Sequence, residues 1–233
     1  MTPAAATATV LRPTTVGRDY AAVLFDLDGT LVESGDSVDR AWNLWCARYD
    51  VVPEELEGLL HGHTAVDLIR TVRPYWPADK VAQAARYQLQ IQEEDPTPGT
   101  AMPGAAELLA SLTARGQRWA VVTACSAALA RHRLAASGLP VPEVLVTADD
   151  CPRGKPDPAP YLLGAEALGV SPTDCLVVED APSGIRSGRA AGCTVVAITT
   201  THQAAALVEA GAVLPGLAHL EFAHDTVAST GRD

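Results

Sequence analysis

The sequence predicts an α/β fold, a doubly wound parallel sheet carrying an inserted all-helical unit. Three observations lead there. Short apolar runs stop at acidic or glycine residues, as Ala21-Ala22-Val23-Leu24-Phe25 does at Asp26-Leu27-Asp28-Gly29. Such a run fits a buried parallel strand that ends at a functional edge. These runs alternate with helical stretches of about 10–15 residues, the rhythm of βα units. The rhythm is suspended between Gly35 and Thr100, where the pattern is helical throughout.

After the first strand, the insertion reads as four helices: Ser37 to Tyr49, Pro53 to Leu60, Thr64 to Val72 and Ala78 to Glu94. Ser34-Gly35 and Pro96-Thr97-Pro98-Gly99 supply its hinges. The alternation then resumes. A helix from Gly104 to Arg115 carries Leu108, Leu109 and Leu112 on one face and precedes the strand Trp119-Ala120-Val121-Val122. Ser126 to Ser137 is helical and leads to the shorter strand Val144-Leu145-Val146. Ala159 to Leu168 precedes Cys175-Leu176-Val177-Val178, and Pro182 to Ala191 precedes Thr194-Val195-Val196-Ala197-Ile198. A last helix is predicted from Gln203 to Ala210. Gly116, Gly138, Gly169, Gly192 and Gly211 stand where helix C-termini are expected. The predicted organisation is a flexible arm over 1–18, a discontinuous α/β core over 19–34 and 101–233, and a helical cap over 35–100.

Composition narrows the function. Of 233 residues, 48% are hydrophobic and 19% charged, as in an ordinary globular chain. The 17 Lys and Arg against 28 Asp and Glu leave a net charge of −11, without the basic stripe of a nucleic-acid binder. An anionic ligand would therefore need a local positive site. Cys46, Cys125, Cys151, Cys175 and Cys193 are widely spaced and contain no C-x-x-C, which argues against a disulfide framework or zinc site and for the reducing cytoplasm. No apolar run approaches the ~20 residues of a membrane helix. Met1 to Arg18 lacks the basic start and apolar stretch of a signal peptide.

In an open α/β sheet, ligands bind beyond the carboxyl ends of the strands. The polar residues there are Asp26 and Asp28, Thr123, and Glu179 and Asp180, with Lys155 in the loop after the shorter strand. Carboxylates gathered at one edge repel each other unless a cation sits among them, and all-oxygen ligands suit Mg²⁺. A metal, a lysine, a hydroxyl and loop N–H groups together make a phosphoryl-binding site. One carboxylate in such a site can act as a nucleophile. A second can protonate the leaving alkoxide and then activate water.

Phe25-Asp26-Leu27-Asp28-Gly29-Thr30-Leu31 resembles the first motif of the haloacid-dehalogenase-like phosphohydrolases. Thr123 after its strand is similar to the second, Gly154-Lys155-Pro156-Asp157-Pro158 to the third, and Glu179-Asp180-Ala181-Pro182-Ser183-Gly184 to the fourth. The resemblance covers the chain from about residue 20 to 220. It implies that Asp26 is the nucleophile and a metal ligand. Asp28 would be the acid/base and lend its backbone carbonyl to the metal. Asp180 would bind metal, with Glu179 doing so directly or through water, and Thr123, Ala124 and Lys155 would hold the phosphoryl group. Mg²⁺ is the implied cofactor.

Ala41-Trp42, Cys46-Ala47-Arg48-Tyr49 and His61-Gly62 resemble the 2-deoxyglucose-6-phosphate and glycerol-phosphate phosphatases within that family. That subgroup often carries an arginine just after the His-Gly pair, where this chain has His63-Thr64-Ala65, and Ser-Gly or Ser-Asn where it has Ala124-Cys125-Ser126. The implied activity is hydrolysis of a small sugar or polyol phosphate by a monomer, with His61 and His63 reaching the substrate. The alternatives are a phosphomutase of the β-phosphoglucomutase type and a non-catalytic protein that binds a phosphorylated metabolite.

Blander roles are expected elsewhere. Glu179-Asp180 can also cap the following helix. Val38, Trp42, Trp45 and Tyr49 form a helical stripe that reads as cap core. Glu93-Glu94-Asp95 reads as a solvated helix end, Asp149-Asp150 as loop polarity, and Cys125 as packing.

Overall fold

The computed structural model describes residues 19–56, 59 and 64–222. The N-terminal arm and both cap histidines, His61 and His63, lie outside the described residues. Among the described residues, six strands form one parallel sheet: β1 (Ala22–Phe25), β4 (Arg118–Val122), β5 (Val144–Val146), β6 (Cys175–Glu179), β7 (Thr194–Ile198) and β8 (Ala212–Leu214). Their order is β5-β4-β1-β6-β7-β8, so β1 is central and the order reverses beside it.

Both faces of the sheet are covered, which is why its strands read as continuous apolar runs. Side chains alternate between the faces. Val23, Phe25, Val121, Leu176 and Val178 pack with Leu109 and Leu112 of α4 (Ala105–Ala114) and Leu134 of α5 (Ala127–Ala136). Leu24, Ala120, Val122, Val177 and Val195 pack with Tyr161 of α6 (Ala159–Ala167) and Ile185 of α7 (Pro182–Ala190).

The helical unit consists of α1 (Gly35–Tyr49), a 3₁₀ turn at Pro53–Leu56, α2 (Ala65–Val72) and α3 (Ala78–Glu93). It has its own core of Val38, Trp42, Trp45, Leu68, Ile69 and Val81. Trp45 and Trp42 meet edge to face at 5.2 Å, and the Trp45 indole donates to the Ala84 carbonyl. The aromatic stripe is thus packing, as its spacing predicts, although Trp42 also reaches the cavity described below.

Three expectations about elements are corrected. Gln203 to Ala210 is not a helix. It holds only a 3₁₀ turn at Ala204–Ala206, whose three alanines are exposed and give a helix no face to bury. Gly211 therefore closes no helix, and its N–H joins Val195 instead, leading into the unpredicted edge strand β8. Among the described residues, the segment after Val52 holds a 3₁₀ turn at Pro53–Leu56 and a turn at Leu59, with residues 57, 58 and 60 outside the described residues. Flanking the insertion, β2 (Val32–Glu33) pairs antiparallel with β3 (Thr100–Ala101), a ribbon at its base that the sequence does not announce. Two-residue strands are too short to show a period.

The hinge beside this ribbon is strongly bonded, so Glu93-Glu94-Asp95 is not simply a solvated end. Asp95 accepts from Ser37 Oγ at 2.7 Å, Arg40 at 2.8 Å and the Thr97 N–H at 2.9 Å. Glu93 accepts from Ser126 Oγ across the hinge at 2.8 Å. Asp149 and Asp150 are likewise engaged: Asp149 accepts from the Ala127 N–H at the start of α5, and Asp150 from the Thr147 N–H and hydroxyl.

Candidate active site

The carboxyl ends of β1, β4 and β6 carry Asp26, Thr123 and Glu179 to one edge, beneath a cavity of about 370 Å³ between the sheet and the helical unit. Asp26, Lys155, Glu179 and Asp180 are all at least nine-tenths buried. Lys155 Nζ donates to Asp26 Oδ1 and Glu179 Oε1, both at 2.6 Å, and to the Val122 carbonyl at 3.0 Å. Tyr161 donates its hydroxyl to the same Glu179 oxygen at 2.7 Å. The other Glu179 oxygen accepts the N–H groups of Asp180 and Ala181. Asp180 is held by the Thr30 and Thr201 hydroxyls.

Two carboxylates, Asp26 and Glu179, share one ammonium here, with Asp180 beside them. Burial pushes Asp26 up to about 7, against the pull of Lys155. Burial, reinforced by Asp26 and Glu179, pushes Asp180 well above the carboxylate range. Charge neutralisation is thus incomplete with Lys155 alone. Donor atoms of Asp26, Glu179 and Asp180 lie within 4.8 Å of one another, an all-oxygen set that fits a hard divalent cation. Two glycines make room for it. At Gly29, where φ is +83°, a side chain would overlap the Asp180 carboxylate, and at Gly184 it would overlap that of Glu179.

Thr123 is buried at the end of β4, and its Oγ1 accepts the Cys125 N–H, shaping the loop Thr123-Ala124-Cys125-Ser126 that lines the cavity. Ser126 caps α5 through the Leu129 N–H. Asp28 stands apart from the metal-type trio in its side-chain contacts. Its carboxylate accepts from Ser34 at 2.6 Å, Arg133 at 2.5 Å and the Cys125 thiol at 2.8 Å. Cys125 is therefore more than packing: burial and the Asp28 charge push its thiol up, so it stays protonated and donates.

Sequence reasoning missed Arg133, Tyr161 and Thr201. For Arg133 a signal existed. With Leu129, Ala130 and Leu134 it falls on the buried stripe of α5, where an arginine is retained only with a partner. Tyr161 reads as an ordinary core aromatic. Thr201 lies in a loop whose position depends on β7.

Residues 20–192 match the family described as haloacid dehalogenase-like hydrolase. Hexitol phosphatase A from Escherichia coli is 46% identical over 83% of this chain and 90% of that protein. The 2-deoxyglucose-6-phosphate phosphatase 1 of Saccharomyces cerevisiae is 31% identical over 81% of this chain and 84% of that one. Among solved structures, β-phosphoglucomutase from Clostridium difficile superposes with a TM-score of 0.74, covering 86% of this chain and 92% of its own, and at 20% identity it shows the fold alone. Four motifs converging on one sheet edge, the matched family and the phosphatase relatives agree: this chain belongs to the haloacid dehalogenase-like hydrolases and is a phosphoric monoester hydrolase.

Proposed function

We propose that the chain hydrolyses a small sugar or polyol phosphate with Mg²⁺, through a phosphoryl group carried on Asp26. The observation that carries this reading is the buried cluster of three carboxylates facing the cavity, two of them paired with one lysine. Asp26, Asp180 and the Asp28 carbonyl would hold the metal. Glu179, with both oxygens already engaged, would act on it through water. A bound Mg²⁺ would offset the charge of the phosphoryl oxygens during transfer.

The chain's own groups do the rest. Lys155 fixes Asp26 Oδ1 and, with Thr123 and the Ala124 N–H, cradles the phosphoryl group. Asp26 attacks phosphorus, and the leaving oxygen departs with a proton from Asp28. Asp28 then takes a proton from the water that attacks the phosphorylated Asp26, restoring both carboxyl groups and releasing inorganic phosphate.

The substrate class rests on the phosphatase relatives and on the cap. By the family resemblance His61 and His63 would contact the substrate, and Thr64, which follows them, lines the cavity. The mutase reading shares this fold, so the architecture does not separate the two. Purified protein should be offered hexitol phosphates, 2-deoxyglucose-6-phosphate, glycerol phosphates and p-nitrophenyl phosphate with Mg²⁺, and phosphate release followed. Polyol and sugar esters should be turned over best, without any bisphosphate. A strict bisphosphate requirement, or no preference over the aryl ester, would overturn the proposal.

A further inference from the structure

Arg133 lies on α5 with 1% of its surface exposed, in the wall between the sheet edge and the cap. Its Nη1 donates to Asp28 Oδ1 at 2.5 Å and to Cys125 Sγ at 3.0 Å. Its Nη2 donates to Gln92 Oε1 at 2.5 Å, and Gln92 belongs to α3 of the cap. One rigid guanidinium thus joins Asp28 to the helical unit, using the two-pronged geometry a lysine lacks.

Among the described residues, every hydrogen-bond partner of the Asp28 side chain is a donor. Ser34 and Arg133 occupy Oδ1, and the Cys125 thiol takes one side of Oδ2. A carboxylate offers about four lone-pair positions, so one on Oδ2 is left to accept a proton. The surrounding donors hold that oxygen as an acceptor in a fixed direction.

We propose that Arg133 is a positioning residue for the water half of the reaction: it aims Asp28 as the proton acceptor, and its bond to Gln92 makes that aim depend on the cap. This rests on the phosphoryl-Asp26 reading above. In the step concerned, the water oxygen bonds to phosphorus while the bond from phosphorus to the Asp26 oxygen breaks. The electron pair returns to the Asp26 carboxylate, and the water proton goes to Asp28. Formation of phosphoryl-Asp26 from p-nitrophenyl phosphate needs no such acceptor, because nitrophenolate leaves without a proton.

The test uses rapid acid quench with p-nitrophenyl phosphate and Mg²⁺ on the full chain, reading the formation and decay rates of the phosphorylated protein. Arg133→Met should slow decay by about tenfold or more, a fraction of what a general base contributes. Formation should stay within about threefold of wild type, so phosphorylated protein accumulates at steady state. Gln92→Met, which keeps the volume and removes the acceptor, should slow decay by about threefold, and should add little to Arg133→Met because both act through one tie. Equal slowing of formation and decay, or unchanged decay in folded Arg133→Met, would overturn the positioning role. Wild-type decay in Gln92→Met would overturn the link to the cap, and this variant decides the matter if Arg133→Met does not fold. Turnover without any phosphorylated protein, in wild type and variants alike, would instead sink the phosphoryl-Asp26 reading.

Discussion

On its core side the cavity presents Asp26, Asp28, Thr123 and Asp180; on its cap side it presents Val38, Trp42, Val66, Ala82, Ala85 and Leu89. The first wall is built from polar groups held by short bonds, such as the two 2.6 Å contacts of Lys155. The second is mostly apolar and belongs to the core of the helical unit as much as to the cavity. The difference separates two tasks. On the proposed function, the core wall would bind what every phosphomonoester shares, so its geometry would tolerate little change. The cap wall would meet the part that varies, where shape with a few polar groups suffices.

That division can be broken most forcefully at Asp26. Asp26→Asn should lower turnover by about 10³-fold or more on every substrate, since an amide cannot accept the phosphoryl group, while the melting transition shows a folded protein. A variant that retained a substantial fraction of the rate would remove Asp26 from its role. Chelation is the next largest effect. EDTA should abolish activity toward aryl and sugar esters alike, Mg²⁺ should restore it, and Ca²⁺ should do so poorly because it accepts a looser coordination. Persistent activity after exhaustive chelation would contradict the metal reading of Asp26, Asp180 and Glu179.

A cap change should behave differently. His63→Ala should alter the ranking of sugar and polyol esters through kcat/KM, by about 1–3 kcal/mol if one substrate hydrogen bond is lost. Turnover of p-nitrophenyl phosphate should hardly move. Equal losses on both would assign His63 to cap folding and blur the contrast between the walls.

The smallest effect expected is at the hinge. Burial would raise the Asp95 carboxyl, but bonds from Ser37, the Thr97 N–H and Arg40 outweigh it and hold the group at about 2, below its ordinary 3.8. A group lowered on folding stabilises the fold fully above its unfolded value, and that contribution fades as pH falls from about 4 toward 2. Asp95→Asn should therefore cost about 1–2 kcal/mol at pH 7, discounted for the exposure of Arg40, and progressively less in acid. Urea midpoints of both proteins at pH 7 and pH 3 would check it; a gap that stays constant with pH would deny the carboxylate its role.

The two walls also differ in how far the sequence discloses them. β1, β4, β6 and β7 are buried on both faces, so each is an unbroken apolar run, and the acids at their ends are conspicuous against it. Asp26, Asp28, Glu179 and Asp180 follow from that contrast. Arg133 does not, because its meaning comes from Asp28, 105 positions earlier, and Gln92, 41 earlier. Tyr161 and Thr201 are hidden for the same reason. β8 escapes notice as a three-residue edge strand, and β2 and β3 are two residues each. The alanine run at 204–206 favours a helix intrinsically, yet with no face to bury it settles for a single turn.

The ribbon of β2 and β3 has a further consequence. Glu33 and Thr100 face each other across it, so the helical unit departs from the sheet and returns at nearly the same point. A segment whose ends already touch can be lengthened, shortened or exchanged at a small cost in chain entropy to the scaffold beneath. On the proposed function, a graft across Val32–Glu33 and Thr100–Ala101 is therefore the natural place to transplant one specificity onto another.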